Sequence, residues 1–379
     1  MYVKRDDYVM NIFSYIDKYG EFTFDEVSFT EVDNAIMASL SYINFSNIVS
    51  NNRSNKLTIG EASDKYFKMH KSKEKLFLAV KQAVKVLRYI KDTKRYKDLL
   101  LYNYVYDVSE EFQFSALTIE INSKLVYISF EGTDHLVSGW KEDFMMTYMF
   151  PIPSQKKAID YLNRKFMLSG KKIILGGHSK GGNLAMVAGM YANIFVRSKI
   201  NRIYNNDGPG VLEEQFKSLE YERIKDKLIN IIPNYSVVGI LLYNDNHIVI
   251  RSLRRGLWAH DIHSWAISDK TFMRADIDSY NGALEDEIKT WMSKYSNDER
   301  ERFVIAMFDI FKKSNIDNFL ELGDNFKVIL DLISNSKELS DVDKDVLKEL
   351  FGVIFNCYKD AKLDGIKKIL EKKDKVLKR

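Results

Sequence analysis

The chain has 379 residues, 45% hydrophobic and 29% charged, as in an ordinary soluble globular protein of one large α/β domain or two average ones. No apolar run is long enough to span a bilayer, the N-terminus shows no signal-peptide pattern, and a single cysteine, Cys357, excludes an intrachain disulfide and a cysteine-rich zinc site. The net charge is +4, but residues 359–379 carry nine Lys or Arg against four Asp or Glu, so the body of the chain is nearly neutral.

Residues 1–93 are predicted to form a helical segment that packs on the core of the protein. Apolar residues recur there every three or four positions, which is the spacing of the buried face of a helix. The first such stretch contains Val32, Ile36, Leu40 and Ile43, and the second contains Leu76, Val80, Val84 and Leu87.

Residues 94–275 are predicted to form an α/β core. Five β-rich runs occur in this region, at residues 112–121, 124–132, 171–177, 202–210 and 227–235. Helical patterns separate several of these runs, which favours a mostly parallel sheet flanked by helices. Residues 276–379 are again helical in pattern and are predicted to be a C-terminal extension. Ser296 and Glu299 form a capping-box sequence at the start of one of its helices.

The core contains a pattern typical of a nucleophilic serine. Residues 177–181 read Gly-His-Ser-Lys-Gly, which fits G-x-S-x-G, and they lie between a β-rich run and a helix of small residues. Glycines on both sides allow a strand and a helix to meet closely at a sharp turn, and the helix N-terminus directs free N–H groups toward a developing oxyanion. The pattern predicts an α/β-hydrolase fold with Ser179 as the nucleophile.

A serine nucleophile needs a histidine base, which follows it in the chain order of α/β-hydrolases. Three histidines follow Ser179, namely His247, His260 and His263. His247 precedes a predicted strand, whereas His260 and His263 follow the last one, where the base usually arrives on a loop. We predict His260 as the base and keep His263 as the alternative.

Asp207 is the predicted triad acid. It directly follows a predicted strand, and the Gly-Pro-Gly turn after it would hold the carboxylate at the carboxyl edge of the sheet. The commoner acid position, one strand later, carries Ser236 and no carboxylate. Asp245 is the fallback, and Asp261 lies too close to His260 in sequence. A turn-capping side chain is the other interpretation of Asp207.

The oxyanion hole of such an enzyme needs two N–H donors. One would come from Lys180, directly after the nucleophile, and the other from Thr133, which follows the predicted strand ending at Glu131-Gly132. An ordinary glycine turn is the alternative interpretation of residues 131–134.

Three segments together resemble the class 3 lipases: SFEGTD at 129–134, GWKEDF at 139–144 and GGHSKGGNLA at 176–185. They are more similar still to a bacterial branch of that group, catalogued as a lipase-like domain of unknown function, and the resemblance covers about residues 8–270. It implies Ser179 as nucleophile, Thr133 as oxyanion donor and His260 as base. Glu131 and Lys180 replace the Arg and Leu of lipases, which predicts a more polar rim than a triglyceride lipase needs.

We therefore expect a serine hydrolase that cleaves carboxylic esters of small molecules or lipids, with thioesters as a related class. The apolar residues 145–153 would form an acyl-binding wall or lid, or else belong to the core. The alternative is a catalytically silent hydrolase fold that binds a partner or a membrane surface. We expect no cofactor, no metal and no nucleic acid, a cytoplasmic location, and at most weak contact of the basic C-terminal helix with an anionic membrane.

Overall fold

The computed structural model describes residues 9–70, 78–109, 111–133, 137–313, 322–336, 339–341 and 343–348. In the N-terminal part of the described chain there are four helices: α1 (Ile12–Tyr19), α2 (Glu31–Leu40), α3 (Ile59–Met69) and α4 (Leu78–Ile90). The two predicted helices are α2 and α4, although Ile43 lies in the turn beyond α2 and Leu76 lies outside the described residues. A capping box between Thr30 and Asp33 starts α2.

Within the described residues, eight strands form one sheet in which the spatial order follows the chain. They are β1 (Leu57–Thr58), β2 (Leu100–Val108), β3 (Gln113–Asn122), β4 (Leu125–Phe130), β5 (Lys172–His178), β6 (Ile200–Asn206), β7 (Leu228–Pro233) and β8 (His247–Ile250). Strands β1 to β4 pair antiparallel, and β4 to β8 pair parallel. A separate hairpin joins β9 (Ile267–Ser268) to β10 (Thr271–Phe272).

The five β-rich runs predicted from sequence are β3 to β7, and the predicted α/β class with a mostly parallel sheet is confirmed. Strands β1 and β2 were not among the predicted runs. Strand β1 has only two residues, and the pairing of β2 is interrupted by a register shift between Tyr102 and Val105.

Helices cover both faces of the sheet. The segments between β4 and β7 contain α5 (Val137–Met145), α6 (Pro153–Phe166), α7 (Lys180–Met190), α8 (Ile194–Arg197), α9 (Glu213–Phe216) and α10 (Leu219–Glu222). On β5, Ile173 and Leu175 pack with α6 and α7, whereas Ile174 packs with the N-terminal helices. This division follows from the alternation of side chains along a strand.

The described part of the C-terminal region contains α11 (Ser279–Lys294), α12 (Asn297–Lys313) and α13 (Leu322–Asn335). The capping box before α12 is confirmed, since Ser296 N–H donates to Glu299 and Glu299 N–H donates back to the Ser296 hydroxyl. Helix α12 packs on α5, with the Phe144 and Phe308 rings 5.8 Å apart. None of the helices in the described ranges is long and apolar enough to cross a membrane.

The basic segment 359–379 and Cys357 lie outside the described residues. The predicted domain boundaries after residues 93 and 275 stay predictions.

Candidate active site

Ser179 occupies a strained turn between β5 and α7. Its backbone has φ 59° and ψ −133°, a combination that side-chain-bearing residues rarely adopt. The Ser179 N–H donates to the Asn206 carbonyl at 3.0 Å, which ties the turn to the end of β6. A Cβ on Gly177 would overlap the Gly181 backbone, and one on Gly181 would overlap the Phe130 carbonyl oxygen. Both glycines of G-x-S-x-G are therefore needed for this close approach.

His260 and Asp207 are in direct contact. The His260 Nδ1 lies 2.7 Å from Asp207 Oδ2. The Asp207 side chain is fully buried, whereas the His260 side chain is 23% exposed, so the imidazole lies between a buried carboxylate and the surface. Asp207 has φ 50°, in the left-handed region that Asp tolerates, directly after the last residue of β6.

Two donors hold the other oxygen of the Asp207 carboxylate. The Ser236 hydroxyl donates to Oδ1 through a short hydrogen bond, and the Gly239 N–H donates to the same oxygen at 3.1 Å. Both donors lie on the loop after β7, where the commoner acid position of the fold would be. The Asp207 carboxylate therefore lies on the loop after β6, and its two hydrogen-bond donors lie on the loop after β7. This arrangement was not predicted from the sequence.

The predicted oxyanion residues lie at the same edge of the sheet as Ser179. Thr133, Ser179 and Asp207 follow the carboxyl ends of β4, β5 and β6, which are parallel neighbours. A Cβ on Gly132 would lie 3.1 Å from the Ser179 Cβ, so the loop before Thr133 adjoins Ser179. Lys180 is the first residue of α7, and its N–H has no acceptor within the helix.

Adjacent carboxylates on α5 hold the two predicted oxyanion residues. The Thr133 hydroxyl donates to Asp143 Oδ2 at 2.7 Å, and Lys180 Nζ lies 2.9 Å from Glu142 Oε2. Burial raises the pKa of Asp143 to about 6, and this effect outweighs the opposing effects of Lys180 and the Thr133 hydrogen bond. Glu142 also accepts from the N–H groups of Gln113 and Ser154, which fixes α5 against the sheet and α6.

The prediction of a polar rim was based on Glu131 and Lys180, and it is wrong for both residues because both are buried. The side chains of Lys180 and its partner Glu142 are both 0% exposed, because Lys180 Nζ is buried in this ion pair. Glu131 is also buried, at 6% exposure. Lys180, directly after Ser179, therefore has a buried structural role, and burial of its charge requires the paired carboxylate of Glu142.

His178 links the turn at Ser179 to the loop that carries His260. Its Nε2 lies 2.7 Å from the His260 carbonyl oxygen, and its Nδ1 lies 2.9 Å from the Tyr42 hydroxyl. Because a carbonyl oxygen only accepts, Nε2 carries the proton and Nδ1 accepts from Tyr42. Burial and the nearby His260 lower the pKa of His178 well below its usual value, so this ring is neutral. The rings of His178 and His260 are 4.4 Å apart.

The alternative histidine and acids form other contacts. His263 Nδ1 lies 2.8 Å from Asp261 Oδ1, and the His263 side chain is only 3% exposed. Asp261 also accepts from Arg254 at 2.9 Å. Asp245 accepts from the Tyr221 hydroxyl at 2.8 Å and is paired with a lysine. The structure therefore brings Asp207 to His260 and directs Asp245 and Asp261 elsewhere.

The apolar residues 145–153 divide into two groups. Met146 and Ile152 are buried in a cluster with Leu242 and Met292, so these two belong to a core. Met145 and Met149 are only partly buried and flank the same cluster. In the part of the chain that the structure describes, no group of three His, Cys, Asp or Glu side chains is arranged to hold a metal ion.

A family model described as Mbeg1-like matches residues 90–309, which is more than half of the chain. Among solved structures, the chain is similar to one titled "Crystal structure of M37 lipase", with 16% sequence identity and a TM-score of 0.34. That similarity covers 54% of this chain and 68% of the M37 lipase chain. No curated protein matches the chain significantly.

Proposed function

The chain belongs to the Mbeg1-like family, a family of lipase-like domains, and on that premise we propose that it is a serine hydrolase of carboxylic esters. The observation that carries the proposal is the pairing of His260 with the buried Asp207 beside a serine in a strained turn. A strained backbone at a side-chain-bearing residue costs free energy, and such conformations cluster at active sites. The finer assignment to class 3 lipases is part of this proposal.

In the proposed mechanism, Ser179 Oγ attacks the ester carbonyl carbon while His260 Nε2 accepts the hydroxyl proton. The negative charge of the tetrahedral intermediate falls on the former carbonyl oxygen, toward which the N–H groups of Thr133 and Lys180 would donate. Collapse of the intermediate releases the alcohol, which takes the proton from His260. Water then attacks the acyl-serine with the same histidine as base, which releases the acid and restores Ser179.

Asp207 has a defined part in these steps. Its Oδ2 accepts from the His260 Nδ1–H, which leaves Nε2 of the neutral ring free to accept the serine proton. The same carboxylate stabilises the imidazolium that forms during the attack. Ser236 and Gly239 hold Oδ1 and thereby aim Oδ2 at the imidazole.

The substrate class is proposed more broadly than that of a triglyceride lipase. The proposed substrates are esters of medium acyl length, with the partly buried Met145 and Met149 as the proposed acyl-binding wall, and thioesters undergo the same two-step chemistry. A cytoplasmic location is proposed with it, since a chain with one cysteine does not depend on disulfides.

The test is hydrolysis of p-nitrophenyl esters of graded acyl length by the full chain, with Ser179→Ala as the matched control. We expect turnover by the wild type and a loss on the order of 10³-fold or more in the variant. Equal turnover by folded wild type and variant would remove Ser179 from the mechanism. No turnover of any ester by the wild type would favour the silent, ligand-binding alternative.

A further inference from the structure

Four exposed apolar side chains lie at the edge of the sheet opposite the candidate site. This edge, where β5, β6 and β7 begin, is called the amino edge below. After α6, Met167 is 50% exposed and Leu168 is 88% exposed. On α8, Ile194 is 67% exposed and Phe195 is 68% exposed. Single exposed apolar residues are ordinary, but two adjacent pairs on neighbouring segments form a patch.

Hydrogen bonds hold the two segments of this patch together. The Asn193 N–H, just before α8, donates to the Asn163 side chain of α6 at 2.8 Å. Lys199 Nζ donates to the carbonyl oxygens of Phe166 and Met167 at 3.0 and 2.8 Å. The apolar side chains are therefore presented by a fixed backbone, and their exposure is built into the fold.

Basic side chains surround the patch. One group consists of Lys172, Arg197, Lys199 and Lys227, at the starts of β5, β6 and β7. Lys227 Nζ donates to the Arg197 carbonyl at 3.3 Å, and burial together with the nearby Lys172 and Arg197 lowers the pKa of Lys227. Repulsion by Lys172 and Arg197 therefore adds to the larger effect of burial on Lys227.

A second basic group lines a cavity of about 150 Å³ next to Leu168, and it consists of Arg53, Lys56, Lys165 and Lys171. Glu120 is paired with Lys56 at 2.6 Å and with Lys171 at 3.2 Å, and its side chain is 11% exposed. The exposed Asp226 adds one more negative charge near the start of β7. Eight cations against these two acids leave a clear positive excess around the apolar patch.

We propose that the amino edge docks on an anionic lipid bilayer, with Leu168 and Phe195 inserted among the acyl chains and the two basic groups on the headgroups. Apolar side chains ringed by Lys and Arg are the combination that interfacial membrane binding requires. A nucleic acid would match the charge, but it would leave Leu168 and Ile194 without an apolar partner.

The docked orientation has a consequence for the proposed enzyme. Strand β5 has seven residues between the amino edge and Ser179, so the two ends are about 20 Å apart. The candidate site then faces the aqueous side, and its substrate arrives from solution or from a partner. This proposal does not depend on catalysis, because docking uses none of the residues of the candidate site.

Docking is tested by co-sedimentation of the full chain with phosphatidylcholine vesicles that contain about one third phosphatidylserine. We expect binding to these vesicles, little binding to pure phosphatidylcholine, and loss of binding at about 1 M salt, where charge interactions are screened beyond about 3 Å. The double variant L168D/F195D should weaken binding at least tenfold. Both changes are at exposed positions, and an unchanged thermal unfolding midpoint shows that the variant is folded.

Ile305→Asp on α12 is the matched control, since Ile305 is 46% exposed and α12 packs on α5 instead of the amino edge. This variant should bind vesicles like the wild type. Both variants keep the basic segment 359–379, so equal binding by wild type and L168D/F195D would assign any binding to that segment and overturn the proposal. Failure of the wild type to bind anionic vesicles, or equal binding to neutral ones, would also overturn it.

Discussion

Replacing Asp207 with asparagine should disable the proposed triad through the tautomer of His260. In the wild type, Ser236 and Gly239 both donate to Oδ1 of Asp207, and Oδ2 accepts from His260. In Asp207→Asn the same two donors need an acceptor, so they hold the amide oxygen and turn the NH₂ group toward His260 Nδ1. Nδ1 must then accept, which places the ring proton on Nε2. A protonated Nε2 cannot take the proton of Ser179.

The expected loss is large because the geometry stays intact while the protonation is wrong. A triad with this defect loses on the order of 10⁴-fold in turnover, or about 5.5 kcal/mol of transition-state stabilisation. The assay is kcat for a p-nitrophenyl ester, with the thermal unfolding midpoint measured in parallel. The control is Asp261→Asn, because Asp261 makes the same type of contact, at 2.8 Å, with His263.

We expect Asp261→Asn and Asp245→Asn to stay within a few-fold of the wild type in kcat, a range that loss of a non-catalytic contact allows. A folded Asp207→Asn protein with turnover within tenfold of the wild type would refute the tautomer argument. So would a larger loss in Asp261→Asn than in Asp207→Asn, since that result would make His263 the base.

Three further outcomes are expected. His260→Ala should fall to the level of a variant without the nucleophile and His263→Ala should lose far less, measured as kcat/KM, with the reverse result contradicting the assignment. Gly181→Ala should lower the free energy of unfolding in urea by about 2 kcal/mol or more, since its Cβ overlaps the Phe130 carbonyl, and an unchanged midpoint would contradict this. The raised pKa of Asp143, about 6, means that the folded state binds the proton more tightly than the unfolded state does, so stability is lost as the pH rises through 6. The asparagine of Asp143→Asn does not titrate, so the free energy of unfolding of this variant should rise relative to that of the wild type by up to about 3 kcal/mol between about pH 4 and pH 7.5. A pH-independent difference between the two proteins would contradict the burial of a charge at this position.

Sequence patterns identified the local features well, because each has a short-range physical cause. Runs of β-forming residues located β3 to β7, and apolar residues at helical spacing located α2 and α4. The two glycines around Ser179 predicted a close approach of strand and helix, and in the structure both glycines lie directly against neighbouring backbone atoms. Asp207 was selected by its turn at the end of a strand, and the structure places that turn next to His260.

Features that depend on partners distant in sequence could not be predicted in the same way. The burial of Lys180 requires Glu142, which lies 38 positions away on a helix that packs beside it. The support of Asp207 by Ser236 comes from the next loop, and nothing local in the sequence indicates it. A lysine next to a predicted nucleophile suggests a polar rim when its partner is unknown. The prediction was wrong because the partner, Glu142, buries the charge of Lys180.

Labelling of Ser179 by a fluorophosphonate tests the central claim most directly, because the reagent reacts with a serine that a base activates. The full chain is treated with the reagent and digested, and the modified residue is identified by mass spectrometry. We predict one adduct, on the peptide that contains Ser179, and its loss in His260→Ala, in which the serine remains but its base is gone. An unlabelled wild type, or equal labelling in wild type and His260→Ala, would contradict the proposed triad.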